Sequence, residues 1–193
     1  TINFLKWFSN YNLVPLGMCL KLHLINDENL KIKNDKDLLK YDISNEKKIY
    51  QLSEEQNNAY KELSKYDSGF RVHLLQGTTG SGKTIVYFKA IEKIVNQGKQ
   101  SLILLPEIGL TGEFEKKFKN FFGFEAAIWH SKITPKRKKV IWSGLANGEI
   151  KVVIGARSSL FLPFKKLGLI VVDEEHDQSF KQDEGVTYNA RDM

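Results

Sequence analysis

Eleven residues, LLQGTTGSGKT from Leu74 to Thr84, constrain the fold of this 193-residue chain more than any other stretch. Gly77 to Thr84 match the pattern G-x-x-x-x-G-K-[ST] in full. The flanks supply what such a loop needs. FRVHLLQ before it reads as a strand, and KTIVYFKAIEKIVNQ after it carries helical apolar spacing that stops at Gly98. The small or permissive residues Gly77, Thr78, Thr79, Gly80, Ser81 and Gly82 let backbone N–H groups close around a phosphate, and the helix N-terminus adds positive potential. Lys83 reaches the β- and γ-phosphates, and the Thr84 hydroxyl is a ligand for Mg²⁺. ATP with Mg²⁺ is therefore the expected ligand. The alternative is a glycine-rich turn that binds nothing, which the flanking strand and helix disfavour.

Phosphoryl transfer also needs an acid at the end of a neighbouring strand. LIVVDEEH supplies one: four apolar residues predict a buried strand, and Asp173 emerges at its C-terminal edge, where open α/β sheets place ligands. Asp173 is the second expected Mg²⁺ ligand, and Glu174 the group that orients and deprotonates the attacking water, with Lys83 as its catalytic partner on the phosphates. Between these motifs strand and helix alternate. QSLILL, FEAAIWH and IKVVIGA read as strands. Phe114, Phe118 and Phe121 share one helical face, and Thr134-Pro135 reads as an N-cap with proline at N1. Ser53 and Gln56 form a capping-box pattern that opens a helix to about Lys65. The alternation from residue 70 to 173 predicts an α/β fold with a parallel sheet covered on both faces. Residues 1–25 form a small N-terminal segment. Residues 26–49, dense in charge and Asn, read as a linker, and 50–193 as the ATP-binding lobe.

Composition narrows the classes. No apolar run approaches the ~18 residues of a membrane span, and the first residues lack the apolar core of a signal peptide. The single cysteine, Cys19, excludes a disulfide or a multi-cysteine zinc site within these residues and suits a reducing cytoplasm. A net charge of +6 gives a modest pull toward polyanions.

Five motifs in order carry a family resemblance: TGSGKT, LLPEIGLT, VVIGARSSLFLPF, VVDEEHDQSFKQDEG and YNARD. With D-E-x-H after the phosphate loop, the chain resembles the superfamily 2 DExH helicases. Within them it is similar to the primosomal replication-restart helicases of the PriA type (primosomal protein N′), over about residues 50–193. Residues 3–24 look like the end of that family's N-terminal DNA-binding region. The resemblance implies a RecA-like lobe of an ATP-dependent DNA helicase with 3′-5′ polarity. It implies single-stranded or forked DNA, primosome proteins and single-strand-binding protein as partners, and the cytoplasm as its place. It implies that Gln56 reads the adenine edge, a role that competes with its part in the capping box. The loops at Thr111 and at Arg157-Ser158 would grip the DNA backbone, and Phe180, Lys181, Tyr188 and Arg191 would form an aromatic-rich loop that couples DNA contact to hydrolysis.

Some residues depart from the family pattern. Gly112-Glu113 stands for the usual Pro-Gln, Ile85 for a Glu, and Thr187 and Asn189 for an Arg and a His. The basic run KITPKRKK, a solvated helix start on its face, offers electrostatic compensation. The lobe is expected to be incomplete at its C-terminus, because a second lobe with arginine fingers and the family's zinc-binding cysteines would lie beyond Met193. The 193 residues alone are then expected to be inactive. Two further readings stay open: another superfamily 2 DNA translocase, and a non-catalytic nucleotide- or DNA-binding remnant.

Overall fold

The computed structural model describes residues 2–24, 48–65, 69–106, 109 and 111–193. Four parallel strands form the main sheet: β1 (Gln100–Leu104), β2 (Ala127–Trp129), β3 (Val152–Gly155) and β4 (Leu167–Val172), in the order β2-β3-β1-β4. Leu102 of β1 faces Val153 of β3 on one side and Ile170 of β4 on the other. Six helices surround it: α1 (Ile2–Tyr11), α2 (Leu16–His23), α3 (Glu54–Leu63), α4 (Lys83–Asn96), α5 (Gly112–Phe122) and α6 (Pro135–Asn147). A two-stranded antiparallel ribbon, β5 (Lys181–Gln182) and β6 (Tyr188–Asn189), lies near the end of the chain.

The period of two along a strand sorts the core into two layers. Ile103, Leu105, Ile128, Val152 and Ile154 point to the face covered by α4 and α5, where Phe88, Phe118, Phe121 and Phe122 are buried. Phe88 is fully enclosed, with the rings of Phe114, Phe118, Phe121 and Phe122 packed around it. Leu102, Leu104, Ala127, Trp129 and Val153 point the other way, onto Ile141 and Leu145 of α6 and onto Leu5, Phe8 and Cys19 of α1 and α2. The N-terminal segment thus docks on the lobe's own core. Phe8 sits edge-on to Phe161 at 5.0 Å and to Tyr188 at 5.5 Å.

Local sequence sets the helix ends as expected. Ser53 and Gln56 make both bonds of the capping box. The Thr134 hydroxyl accepts from the Arg137 N–H ahead of Pro135, and Gly148 closes α6 in the left-handed region. The linker expected over 26–49 lies outside the described residues except at its last two positions.

Two expectations are corrected. FRVHLLQ forms no strand: residues 70–77 run irregularly, with Phe70, Val72 and Leu74 each at least 80% exposed and only Leu75 leaning on the core. A strand exists through its ladder, and among the described residues this run has none to join. β4 is likewise less buried than its four apolar residues suggest, because it is an edge strand. Leu169 and Val171 pack under α4, while Ile170 on the other face remains 43% exposed.

Candidate functional site

The phosphate loop bridges residues 77–82 into α4. Gly80 and Gly82 have φ of +83° and +82°, a backbone region that side chains with a Cβ rarely adopt. Gly82 is also the α4 N-cap, and a Cβ there would collide with the amide nitrogen of Gln56. The Lys83 ammonium turns back into the loop and donates to the carbonyls of Gly77 at 2.6 Å and Thr78 at 3.1 Å. The lysine, the small residues and the N-terminus of a 14-residue helix meet at one place, which makes a cradle for a phosphate.

Gln56 serves two neighbours at once. Its Oε1 accepts from the Ser53 N–H at 3.0 Å, and its Nε2 donates to the Ser81 carbonyl at 2.9 Å. An amide has two N–H donors and two acceptor lone pairs. One of each therefore stays available beside the loop, so capping and base recognition do not exclude each other.

Asp173 lies just past β4. Its N–H continues the sheet ladder to the Leu104 carbonyl at 3.0 Å. Its Oδ1 accepts from the Glu174 N–H at 3.1 Å, and its Oδ2 from the Tyr87 hydroxyl at 2.7 Å. Tyr87 is one turn along α4 from Thr84, whose side chain lies close to the phenol. Burial above all, then the Asp173 charge, pushes the Tyr87 hydroxyl well above the usual tyrosine range. Thr84 and Asp173 therefore lie within reach of one phenol oxygen. A hydroxyl and a carboxylate placed together suit a hard, oxygen-seeking cation such as Mg²⁺. Glu174 adopts φ of +51°, unusual for a residue with a Cβ, and its carboxylate is exposed, 3.7 Å from the His176 imidazole.

The expected DNA contacts are arranged differently. Thr111 caps α5, its hydroxyl accepting from the Phe114 N–H; Glu107, Ile108 and Leu110 beside it lie outside the described residues. Glu113 occupies the first turn of that helix, where negative charge is favourable. Ser158 is exposed. Arg157 is not held out toward solvent: its guanidinium donates to the carbonyls of Ser179 and Lys181, at 3.2 and 2.6 Å. Phe180 and Tyr188 correct the expectation of stacking rings, since they are 1% and 4% exposed. An apolar ring in a turn this close to the core gains more from burial than from facing water. Tyr188 meets Phe161 edge-on at 5.3 Å. Lys181 pairs with Asp183 at 3.0 Å. Arg191 pairs with Asp192 at 2.9 Å and with Glu175 at 3.0 Å. Arg191 thereby ties the end of the loop to the acidic motif. Sequence reasoning passed over Tyr87 and Glu175; the three-residue step from Thr84 to Tyr87 along a helix was the available signal for the first.

A family model described as "Type III restriction enzyme, res subunit" matches residues 49–191. The replication restart protein PriA of Rickettsia felis is 46% identical over 194 residues, which is 99% of this chain and 28% of that protein. PriA of Helicobacter pylori is 48% identical over 142 residues, and PriA of Bacillus subtilis 41% over 144 residues. Each of these two matches covers 74% of this chain, against 22% and 18% of the relatives. The matches thus span from 18% to 28% of these relatives' length. Among solved structures, RecG bound to a three-way DNA junction superimposes with a TM-score of 0.59 at 30% identity, over 74% of this chain and 20% of that one.

Proposed function

The chain belongs to the family of the type III restriction enzyme res subunit, and from that membership and its likeness to PriA we propose that it is the nucleotide-binding lobe of an ATP-dependent replication-restart helicase. The observation that carries the proposal is the convergence of Lys83, Thr84 and Asp173, with Tyr87 between the last two. Lys83, now satisfied by two loop carbonyls, exchanges them for the β- and γ-phosphates. Thr84 and Asp173 would hold Mg²⁺, which would supply charge neutralisation at the phosphate oxygens. Glu174, exposed beside Asp173, orients the attacking water and takes its proton. The spare amide donor and lone pair of Gln56 read the adenine edge.

The substrate is single-stranded or forked DNA, and unwinding proceeds 3′-5′. RecG's junction complex supports the branched substrate. Thr111, Arg157, Ser158, Lys181 and Arg191 contribute contacts to the backbone, with Phe180 and Tyr188 supporting their loop from beneath. The complete protein works with primosome proteins and single-strand-binding protein in the cytoplasm. The test is Lys83→Ala in the complete protein. Affinity for a fluorescent ATP analogue is expected to fall at least ~10-fold, and strand displacement on forked DNA to vanish. Unchanged nucleotide affinity would overturn the assignment. ATP consumption with the strands left paired, in the unaltered protein, would identify a translocase instead.

A further inference from the structure

The geometry points to Tyr87 as a positioning residue that holds the Asp173 carboxylate toward the metal–nucleotide site. This rests on the nucleotide-binding reading above and names a residue that reading does not need. Three observations carry it. The Tyr87 hydroxyl donates to Asp173 Oδ2 at 2.7 Å, while the Glu174 N–H occupies Oδ1. The carboxylate is thus gripped at both oxygens, each keeping a lone pair for another ligand. The ring is 5% exposed, packed edge-on to Phe88 at 5.3 Å, so the hydroxyl is delivered by a side chain with little freedom. Thr84, the other candidate metal ligand, stands one turn back on the same helix. Tyr87 and Thr84 are three apart on α4 and therefore share a face. One phenol thus ties the carboxylate at the end of β4 to the helix that carries Thr84 before any ligand arrives. Partners that orient a ligating group in this way typically change metal affinity about 10–100-fold when removed.

The experiment uses the 193-residue chain and Mn²⁺ as the probe for the divalent cation. Mn²⁺ binding is followed by electron paramagnetic resonance with ADP present, and affinity for a fluorescent ADP is measured separately in EDTA. Tyr87→Phe keeps the ring and removes the hydroxyl. The half-saturating Mn²⁺ concentration is expected to rise about 10-fold or more, with metal-free ADP affinity changed less than ~2-fold. A purely structural tyrosine would lower the unfolding midpoint and leave the Mn²⁺ half-saturation where it was, and that result overturns the proposal. A second measurement covers a Tyr87→Phe chain that does not fold. With 3-fluorotyrosine in place of tyrosine and the position-87 resonance assigned, that resonance should move between ADP in EDTA and ADP with Mg²⁺. A resonance that stays fixed overturns the proposal as well. Asp173→Asn and Lys83→Ala separate the two levels. If Asp173→Asn keeps the full Mn²⁺ effect, or Lys83→Ala keeps full ADP affinity, the site reading itself fails. If both lose binding while Tyr87→Phe is silent, only the role of Tyr87 fails.

Discussion

Gln100→Leu should destabilise this chain, although Gln100 touches no part of the nucleotide site. The side chain is 1% exposed at the start of β1 and makes four hydrogen bonds. Its Nε2 donates to the Leu145 carbonyl at 3.1 Å and the Ile150 carbonyl at 2.7 Å, and its Oε1 accepts from the N–H groups of Lys165 and Lys166 at 2.8 and 2.9 Å. One residue thereby fastens the end of α6, the entry to β3 and the turn into β4. Leucine is nearly the same size and satisfies none of these groups. Lys165 and Lys166 lie at the surface, and their N–H groups can return to water. The Leu145 and Ile150 carbonyls belong to residues with no exposure. The Leu145 carbonyl keeps a bond from the Gly148 N–H at 3.0 Å, so losing the amide there costs about 0.5–1.5 kcal/mol, while the orphaned Ile150 carbonyl costs about 1–3 kcal/mol; the added apolar burial of leucine offsets about 1–2 kcal/mol of the sum. The net loss is about 1–2 kcal/mol, or roughly 2–8 °C in melting temperature for a chain of this length. Urea unfolding followed by circular dichroism should show a lower midpoint with an unchanged slope. A stability within ~0.5 kcal/mol of the parent would refute the claim that the buried amide organises the sheet entry.

Phe180→Ala should lower stability by about 3–5 kcal/mol, while single-stranded DNA affinity of the folded complete protein, read by fluorescence anisotropy, changes less than ~2-fold; a large selective loss of DNA affinity would restore the stacking role. Tyr188→Phe should raise stability by about 1–3 kcal/mol, since the buried hydroxyl has no hydrogen-bond partner, and a clear destabilisation in the same urea assay would show that the hydroxyl is satisfied. Burial pushes Tyr188 up from 10.0 to about 12, against a smaller opposing pull from Arg157. The folded chain then holds this proton more tightly than the unfolded one, so the contribution is complete below about pH 10 and is lost as pH rises toward 12. Unfolding midpoints measured from pH 9 to 11.5 should fall less steeply in Tyr188→Phe than in the parent, and equal slopes would remove Tyr188 from that account.

What the sequence could reveal depended on whether a feature is local. The phosphate loop, the capping box at Ser53, the N-cap at Thr134 and the left-handed glycines at 98 and 148 depend on neighbours a few residues away, and the structure repeats them. The strand expected over FRVHLLQ depends on a partner, and apolar composition says nothing of whether one is adjacent. Phe180 and Tyr188 looked like exposed stacking rings because loop position suggests exposure; Phe8 and Phe161, distant in sequence, receive Tyr188 instead, and Phe180 is buried in the same cluster. Tyr87 was hidden for the opposite reason. Its aromatic ring fits the apolar face of α4 so well that only the three-residue step from Thr84 marked it, and its hydroxyl meets Asp173 because the fold brings β4 beside that helix.

The seating of α1 against Phe161 and Tyr188 has a consequence for how the chain is made. The rings that enclose Phe8 follow it in the chain by about 150 to 180 residues. At about 5–20 residues per second the helix waits on the order of ten to forty seconds for its cover. Contacts that distant close slowly even once available, since loop entropy must be overcome first. Throughout that interval Phe4, Leu5, Phe8 and Cys19 present an apolar face with nothing of their own to bury it. Helix α1 thus reaches its final environment only after Phe161 and Tyr188 have been made, and the nascent lobe stays sticky there until then.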